Sequence, residues 1–305
     1  GSLPPQAARC EGLAGASFAL ADGLISRLLQ SPLVYALTVW LTIIPLQDCV
    51  LPPFTSKVTR TAFYRLTGVE PRLGRRASFS VLFREGKPLY KLYGEPGILT
   101  AKEGEKLQAR FSLLTEKPPE SWETSVIFQF GAAEMVAKVE QVEVADVREL
   151  KLNLPRKFTV RFLTPTLLPV PGRGKLLKAL GLRRRYKLLP DLPLALGLLA
   201  YDLKLQGIDL VESSFSEIYG WGTRALCEID YSVKPATVLY AVKNGIPFIE
   251  RGFTGYVAYE LLDPNSYMAE DAKRLLAFAE RFGLGKSRSV GFGHVEITPL
   301  EPAPP

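Results

Sequence analysis

Hydrophobic and polar positions recur along the chain in two successive runs of predicted strands and helices. The first run opens with an apolar, β-branched stretch at residues 34–44, which predicts a strand. A helix is predicted over about residues 55–66, with Thr55 or Ser56 as its N-cap and Gly68 after its last turn. The remaining predicted elements of this run are strands over 78–83, 106–114 and 135–144 and a helix over 118–128.

The second run repeats this order after residue 155. It begins with a predicted strand over 158–163 and ends with an amphipathic helix over about 269–282 and a strand over 290–297. Both runs follow the order βαββαβ, with an insertion in the second, which predicts an α+β fold of two tandem ferredoxin-like (RRM-like) domains. The elements predicted between those ends are helices over 193–206 and 212–226 and strands over 237–242 and 252–261.

The two runs suggest three segments. Residues 1–30, rich in Ala, Gly and Leu, are interpreted as an N-terminal appendage. Residues 31–150 form the first predicted domain, and residues 151–305 form the second, with a glycine-rich loop near its end. The length suits two small domains better than one large domain.

Charge and rare residue types narrow the classes of function. A net charge of +7 and a pI near 9.2 favour an anionic partner, either nucleic acid or a membrane surface. The three cysteines lack metal-ligand spacing, and their odd number favours a reducing, cytoplasmic setting over a disulfide framework. His294 is the one histidine of the sequence, so a zinc site, a two-histidine nuclease pair and a Ser-His-Asp triad are poorly supported.

The strongest local motif is the glycine-rich segment at residues 283–293, between a predicted helix and a predicted strand. Closely spaced glycines let backbone N–H groups approach an anion, and the neighbouring cations and hydroxyls add further contacts. A glycine-rich turn with surface charges is an equally good interpretation of the spacing alone. The residues predicted to bind an anion here are Gly283, Gly285, Lys286, Ser287, Arg288 and Ser289.

A basic stretch at residues 156–187 contains no Asp or Glu. Such a block is expected to hold the phosphates of a nucleic acid and to make binding depend on salt. A solvated basic loop remains an alternative, and so does a membrane-surface segment, because leucines intersperse the charges. The predicted phosphate contacts in this stretch are Arg161, Arg173, Lys175, Arg183, Arg184 and Arg185.

The first predicted helix carries three chemically useful side chains on one face. Lys57, Arg60 and Tyr64 are spaced i, i+3 and i+7, which brings an ammonium, a guanidinium and a phenol together. This group could hold a scissile phosphate. The alternative is the ordinary solvent-exposed side of an amphipathic helix.

The segment Gly-Leu-Gly-Lys-Ser-Arg-Ser-Val-Gly-Phe-Gly-His-Val-Glu at residues 283–296 resembles the C-terminal glycine-rich loop of CRISPR repeat-processing endoribonucleases of the RAMP superfamily. Two further stretches, residues 44–58 and 160–168, resemble the archaeal branch of that family. The resemblance extends over about residues 34–298. It implies tandem ferredoxin-like domains that bind repeat RNA, the pre-crRNA, across a basic surface.

The resemblance also implies a reaction. Such proteins cleave one phosphodiester without a metal ion or other cofactor, using the adjacent 2′-hydroxyl as the nucleophile and leaving a 2′,3′-cyclic phosphate and a 5′-hydroxyl. Many members place a general-acid/base histidine near the first helix, and this sequence has none there. The catalytic residues predicted instead are Lys57, Arg60, Arg76 and Arg251, which would stabilise the transition-state charge, and Tyr64, which would orient the 2′-hydroxyl.

Two other functions stay open on the sequence. The missing histidine is compatible with a non-catalytic RNA-binding RAMP subunit of a CRISPR effector complex. A basic membrane-surface protein is the third interpretation, although no segment is predicted to cross a membrane. The sequence also leaves open a homodimer.

Overall fold

The first half of the chain folds as an antiparallel sheet around a central strand. In this computed structural model, β1 (Tyr35–Pro45) pairs with β7 (Leu107–Thr115) on one side and with β9 (Ala133–Asp146) on the other. The other elements of this half are β2 (Cys49–Leu51), α1 (Ser56–Thr67), β3 (Ala77–Phe79), β4 (Phe83–Arg84), β5 (Lys87–Pro88), β6 (Leu99–Ala101) and β8 (Ser125–Phe130). The structure describes residues 33–68, 76–117, 123–182, 185–244 and 246–300.

The predicted first helix is confirmed as α1. Its apolar residues recur at helical spacing and bury one face, with Phe63 packed edge-on against Phe79 and Phe111 at centroid distances of 5.2 and 4.8 Å. The helix ends at Gly68, which adopts φ +65° and donates its N–H to the carbonyl of Tyr64. A glycine is favoured there because other residues rarely adopt this left-handed conformation.

The second half follows the predicted order closely. Its four-stranded sheet has the order β11-β12-β10-β13, with helices packed against it. Strands β11 and β12 are the two arms of one long hairpin. The first arm extends the predicted strand 237–242 at both ends, and the second begins before the predicted strand 252–261 and ends with it. The elements are β10 (Lys157–Thr166), α2 (Arg173–Ala179), α3 (Leu192–Leu205), α4 (Phe215–Ala225), β11 (Leu226–Lys243), β12 (Ile246–Leu261), α5 (Tyr267–Phe282) and β13 (Val295–Pro299).

One predicted helix of the first half is wrong in the part that the structure describes. Residues 125–130 form the edge strand β8, paired with β9, where a helix over 118–128 was expected. The burial of residues 125–130 alternates, with Phe128 buried between the exposed Ile127 and Gln129. This period of two is the pattern of a strand, and the prolines at 118 and 119 were a misleading helix-start signal.

The sheet order explains why the fold class is nevertheless ferredoxin-like. In the first half, β3 and β4 lie beside β7, then β1, then β9, which is the same order that the four strands of the second half follow. Strand β8 is added at the edge. The predicted strand over 78–83 is divided into β3 and β4, and the predicted strand over 290–297 begins only at Val295, after a 3₁₀ turn at Arg288–Val290.

The described residues of both halves from Val34 onward belong to one compact unit. A small apolar cluster joins them, in which Phe54 of the first half stacks on Phe292 of the second with ring centroids 4.7 Å apart. The hairpin of the second half also reaches the first half, because Leu92 forms an isolated bridge with Val238. The predicted appendage at residues 1–30 lies outside the described residues.

Candidate functional site

The glycine-rich loop of the second half docks on the start of α1. The hydroxyl of Ser56 donates a hydrogen bond to the carbonyl of Val290 at 2.7 Å. Gly291 adopts φ +96°, and a Cβ at this position would lie only 2.6 Å from Cβ of Ser56 and 2.9 Å from the Phe54 ring. The loop therefore fits against the first turn of α1 only because position 291 has no side chain.

The same loop is also held by the end of β10. The Lys286 N–H donates to Leu167 O at 2.9 Å, and the Gly293 N–H donates to Pro165 O at 3.1 Å. A Cβ on Gly285 would lie 2.6 Å from Leu167 O. Packing thus accounts for the glycines, and the fold uses several of the N–H groups that the sequence suggested for anion binding. The prediction of an anion site here rests mainly on the loop's side chains.

Of the three side chains on the predicted face of α1, two contact each other and the third is exposed. Lys57 is exposed in the first turn, directly after the Ser56 that contacts the loop. The Arg60 Nε–H donates to the Tyr64 hydroxyl, and the guanidinium lies 5.4 Å from the centre of the Tyr64 ring. The Tyr64 ring packs edge-on against Phe63. An open ammonium thus lies on the same helix as a guanidinium and a phenol that hold each other in place.

The two weaker catalytic candidates lie at different places. Arg76 precedes β3 and pairs with Glu116 at 3.6 Å, while both side chains stay substantially exposed. Its neighbour Ala77 lines a cavity together with the glycine-rich loop, so Arg76 is near that loop. Arg251 is exposed on β12 opposite Thr237. The described contacts of that part of the hairpin run to residues 92–93 and, through Tyr240, to Phe292 of the glycine-rich loop at a ring-centroid distance of 5.7 Å.

Side chains of the glycine-rich loop divide into outward and inward groups. Ser287 is exposed, and Lys286 and Ser289 are partly exposed. Arg288, in contrast, is buried, and its guanidinium bonds to Asp202 of α3 at 2.7 Å. An enclosed guanidinium that is paired with a carboxylate does not face a surface-bound RNA. Arg288 therefore stabilises the fold, and its burial does not support the phosphate contact predicted for it.

Part of the basic stretch lies beside this loop. Leu167 bridges Lys286, and the next residue, Leu168, bridges Lys187, so the loop and the end of the basic stretch flank one short segment. Arg161 lies apart on β10, 3.8 Å from Glu296. Arg173, Lys175 and Arg185 are exposed, and Arg183 and Arg184 lie outside the described residues.

His294 serves the junction of the two halves. Its Nε2 lies 3.4 Å from the Ser78 hydroxyl, and its backbone N–H donates to the Thr164 hydroxyl at 2.9 Å. Burial lowers the pKa of His294 to about 3, and the nearby charge of Arg110 acts in the same direction. The imidazole is therefore neutral at physiological pH and cannot supply a proton there.

Comparison with known proteins identifies the family. Residues 37–145 match the model of the Cas6 N-terminal domain, and residues 160–295 match the model of the CRISPR-associated endoribonuclease Cas6. The chain belongs to the Cas6 family. It is therefore assigned to the CRISPR-associated endoribonucleases, as the glycine-rich loop and the two other motifs predicted.

Relatives of this Cas6 chain extend over most of its length. Two proteins of Saccharolobus solfataricus, CRISPR-associated endoribonucleases Cas6 1 and Cas6 2, are 26% and 25% identical to it, over 84% of this chain and 93% of each relative. A solved Cas6 product complex has a TM-score of 0.53 at 19% identity and covers 87% of this chain and 99% of its own. A Cas6 substrate mimic complex also has a TM-score of 0.53, at 17% identity, covering 86% and 99%. These structures confirm the tandem ferredoxin-like fold.

Sequence reasoning missed a set of charged residues where the first sheet of this Cas6 chain meets the end of α5. Arg110 is partly buried, and its guanidinium donates to the carbonyl of Glu280 at 2.6 Å. Burial lowers the Arg110 pKa to about 10 and raises the pKa of Glu280. Arg281 also forms an ion pair with Glu143 of β9. The alternation of polar and apolar residues along the predicted strand 106–114 was the signal that could have indicated this set. It implies that the polar face of the sheet is also covered by another element.

Two features are absent from the described residues. No group of three or more His, Cys, Asp or Glu side chains there is placed to hold a metal ion. None of the helices in the part of the chain that the structure describes is long and apolar enough to cross a membrane.

Proposed function

We propose that this protein cuts CRISPR repeat RNA without a metal ion, by attack of the 2′-hydroxyl on the adjacent phosphodiester. The products would be crRNAs with 5′-hydroxyl and 2′,3′-cyclic phosphate ends. Family membership supports the substrate class. The observation that supports the site is the bond between Ser56 and Val290, which puts the exposed Lys57 beside the glycine-rich loop.

Each residue of the α1 face has a proposed task. Lys57 donates a proton to the leaving 5′-oxygen or stabilises the charge that develops on the phosphorus oxygens. Arg60 adds positive charge and fixes Tyr64, whose phenol O–H stays directed by the bond that its oxygen accepts from Arg60 Nε. Tyr64 orients the 2′-hydroxyl. Loss of a positioned acid typically lowers a rate by about 10²–10⁴.

RNA binding is proposed for the outward cations near the loop. Lys286 and the exposed cations Arg173, Lys175 and Arg185 would neutralise phosphates, so affinity should fall as salt rises. Arg76 adds charge close to the loop. Arg251, predicted from the sequence to stabilise the transition-state charge, is proposed here as a phosphate contact of the hairpin instead. Arg288 is left out of this set because Asp202 engages its guanidinium.

Single-turnover cleavage of the host's own repeat RNA tests the proposal. Cleavage should proceed in EDTA and stop when the nucleotide before the cut carries a 2′-deoxy sugar, and the product ends should be a cyclic phosphate and a hydroxyl. Lys57→Ala should slow cleavage at least a hundredfold with little change in affinity. The matched control is Arg65→Ala, which removes one exposed cation from the same helix and should cut normally.

Three results would contradict the proposal. These are an obligatory divalent ion, cleavage of the deoxy RNA, and full activity in Lys57→Ala. Tight binding of repeat RNA with no cleavage by the unaltered protein would instead favour the non-catalytic RAMP subunit. The proposal about the binding surface is separate, and Lys286→Ala tests it by a weaker dependence of affinity on salt.

A further inference from the structure

A cavity between the glycine-rich loop and α3 is not used by any step proposed above. Its volume is about 430 Å³, which is ample for one nucleobase, and it is open to solvent on one side. It lies next to the loop that contacts α1, within the same part of the fold as the proposed cleavage site.

The wall formed by α3 is apolar and carries one aromatic side chain. Leu198 and Leu199 line it, and Leu205 is 60% exposed at its edge. Tyr201 also lines the cavity and is 54% exposed, on a helix whose other positions are mostly buried. A tyrosine ring left open beside leucines offers a flat surface on which a planar ring can stack.

The opposite wall is polar and conformationally unusual. It is formed by Lys286, Ser287 and Ser289 of the glycine-rich loop. Ser287 has φ +62°, a left-handed conformation that non-glycine residues adopt rarely and that is frequent at functional sites. Its hydroxyl and that of Ser289 can both donate and accept hydrogen bonds at the edge of a bound ring. The ion pair between Arg288 and Asp202 closes the inner end.

One cation lines the cavity directly. Lys286 lies on the loop side and is the cation proposed to hold a phosphate there. Pro169 also lines the cavity and follows Leu168, which bridges Lys187 at the end of the basic stretch. The ammonium of Lys187 forms an ion pair with Asp191 at 2.7 Å, so it is left out of the set of phosphate contacts. An aromatic and apolar pocket beside a phosphate-binding cation is an arrangement that proteins use for single-stranded nucleic acid.

We propose that this cavity takes one unpaired nucleobase of the bound RNA, which stacks on Tyr201 with its edge toward Ser287 and Ser289. The inference rests on the proposed function, because it takes repeat RNA as the ligand. It makes Tyr201 a residue that selects an unpaired nucleotide at one position of the repeat, apart from the side chains that cut.

Affinity measurements with modified repeat RNAs test the assignment. The RNAs carry a 2′-deoxy sugar at the cut site, so they are not consumed, and each lacks the base of one nucleotide. The full chain is compared with Tyr201→Leu, which removes the ring, and with Tyr201→Phe, which keeps it. Tyr267→Leu is the matched control, since Tyr267 is 66% exposed and does not line the cavity.

The stacking assignment predicts one sensitive position. Removal of that base should weaken binding by the unaltered protein about tenfold, and Tyr201→Leu should weaken binding of the intact RNA by about the same factor. The two changes together should cost no more than either alone, because they remove the same contact. Tyr201→Phe and Tyr267→Leu should bind normally, and all variants should unfold at the temperature of the unaltered protein.

Two outcomes overturn the assignment. One is a loss of affinity in Tyr201→Leu that is equally large for the intact RNA and for every RNA that lacks a base, because a protein-docking or general surface role would give that result. The other is unchanged affinity in Tyr201→Leu. If the unaltered protein still cuts the repeat in either case, the pocket assignment fails while the proposed function stands. If it does not cut, the coupling between Tyr201 and one base can still be measured on the deoxy RNAs.

Discussion

Replacement of Arg288 by alanine should destabilise the fold far more than replacement of its neighbour Lys286. Arg288 has 8% of its side chain exposed and pairs with Asp202 at 2.7 Å, and its guanidinium also lies 6.0 Å from the centre of the Phe278 ring. Breaking a buried ion pair by removal of one partner typically costs about 3–5 kcal/mol. Asp202 is 17% exposed and also accepts from Gln206 at 3.2 Å, so we expect the lower value, about 3 kcal/mol.

Urea and thermal unfolding of the variants provide the measurement. Arg288→Ala should lower the unfolding midpoint by roughly 6–10 °C, whereas Lys286→Ala should stay within about 0.5 kcal/mol of the unaltered protein. The double variant Arg288→Ala with Asp202→Ala should lose less free energy of unfolding than the two single variants together, because both remove one interaction. The reasoning is refuted if Arg288→Ala is as stable as Lys286→Ala. A loss of RNA affinity in such a stable Arg288→Ala protein would show that the guanidinium faces the RNA.

Three shorter predictions concern the junction of the halves. Gly291→Ala should cost about 2–4 kcal/mol in urea unfolding, because of its positive φ and its contact with Ser56. Gly220→Ala in α4, where an added Cβ would meet only the end of the Arg224 side chain at 4.0 Å, should be neutral or stabilising. Ser56→Ala removes the bond to Val290 and should slow single-turnover cleavage about fivefold, with unchanged RNA affinity. Burial holds the pKa of His294 near 3, below its value in the unfolded chain. The stability that depends on the neutral imidazole is therefore complete above about pH 6.5 and decreases as pH falls toward 3, on the order of 1 kcal/mol per pH unit. The free energy of unfolding of His294→Gln, measured between pH 4 and 7, should lack this slope.

Much of the fold could be predicted because local patterns and tertiary structure agree over long elements. The strand at 34–44 and the helices at 55–66, 193–206 and 269–282 are confirmed within one or two residues. The edge strand β8 was missed because a pair of prolines favours the start of a helix, whereas the pairing with β9 decides the outcome. Strand β9 follows β8 after only Gly131 and Ala132, so a hairpin turn and the alternating pattern of residues 125–130 were the local signals that the pair of prolines outweighed.

The candidate site was only partly predictable, because the exposure of its side chains depends on residues that are distant in sequence. The helical spacing of Lys57, Arg60 and Tyr64 is a local property, and the contact between Arg60 and Tyr64 follows from it. Whether a cation faces solvent depends on distant residues. Arg288 and Lys286 are two positions apart in one basic loop, and only the approach of Asp202 from α3 turns the first inward.

The glycine-rich loop gains its importance from the two surfaces it contacts at once. On one side Gly291 lies against Ser56 of the first half, and on the other Gly285 lies against Leu167 of the second. A side chain at either position would displace the loop from one surface, so the glycines act chiefly by allowing close approach and only secondarily by exposing N–H groups. The proposed acid, Lys57, follows Ser56 directly and takes its place relative to the proposed RNA-binding cations from this contact. Cleavage without a histidine would thus depend on the two halves being packed together, because neither half alone presents both the ammonium and the loop beside it.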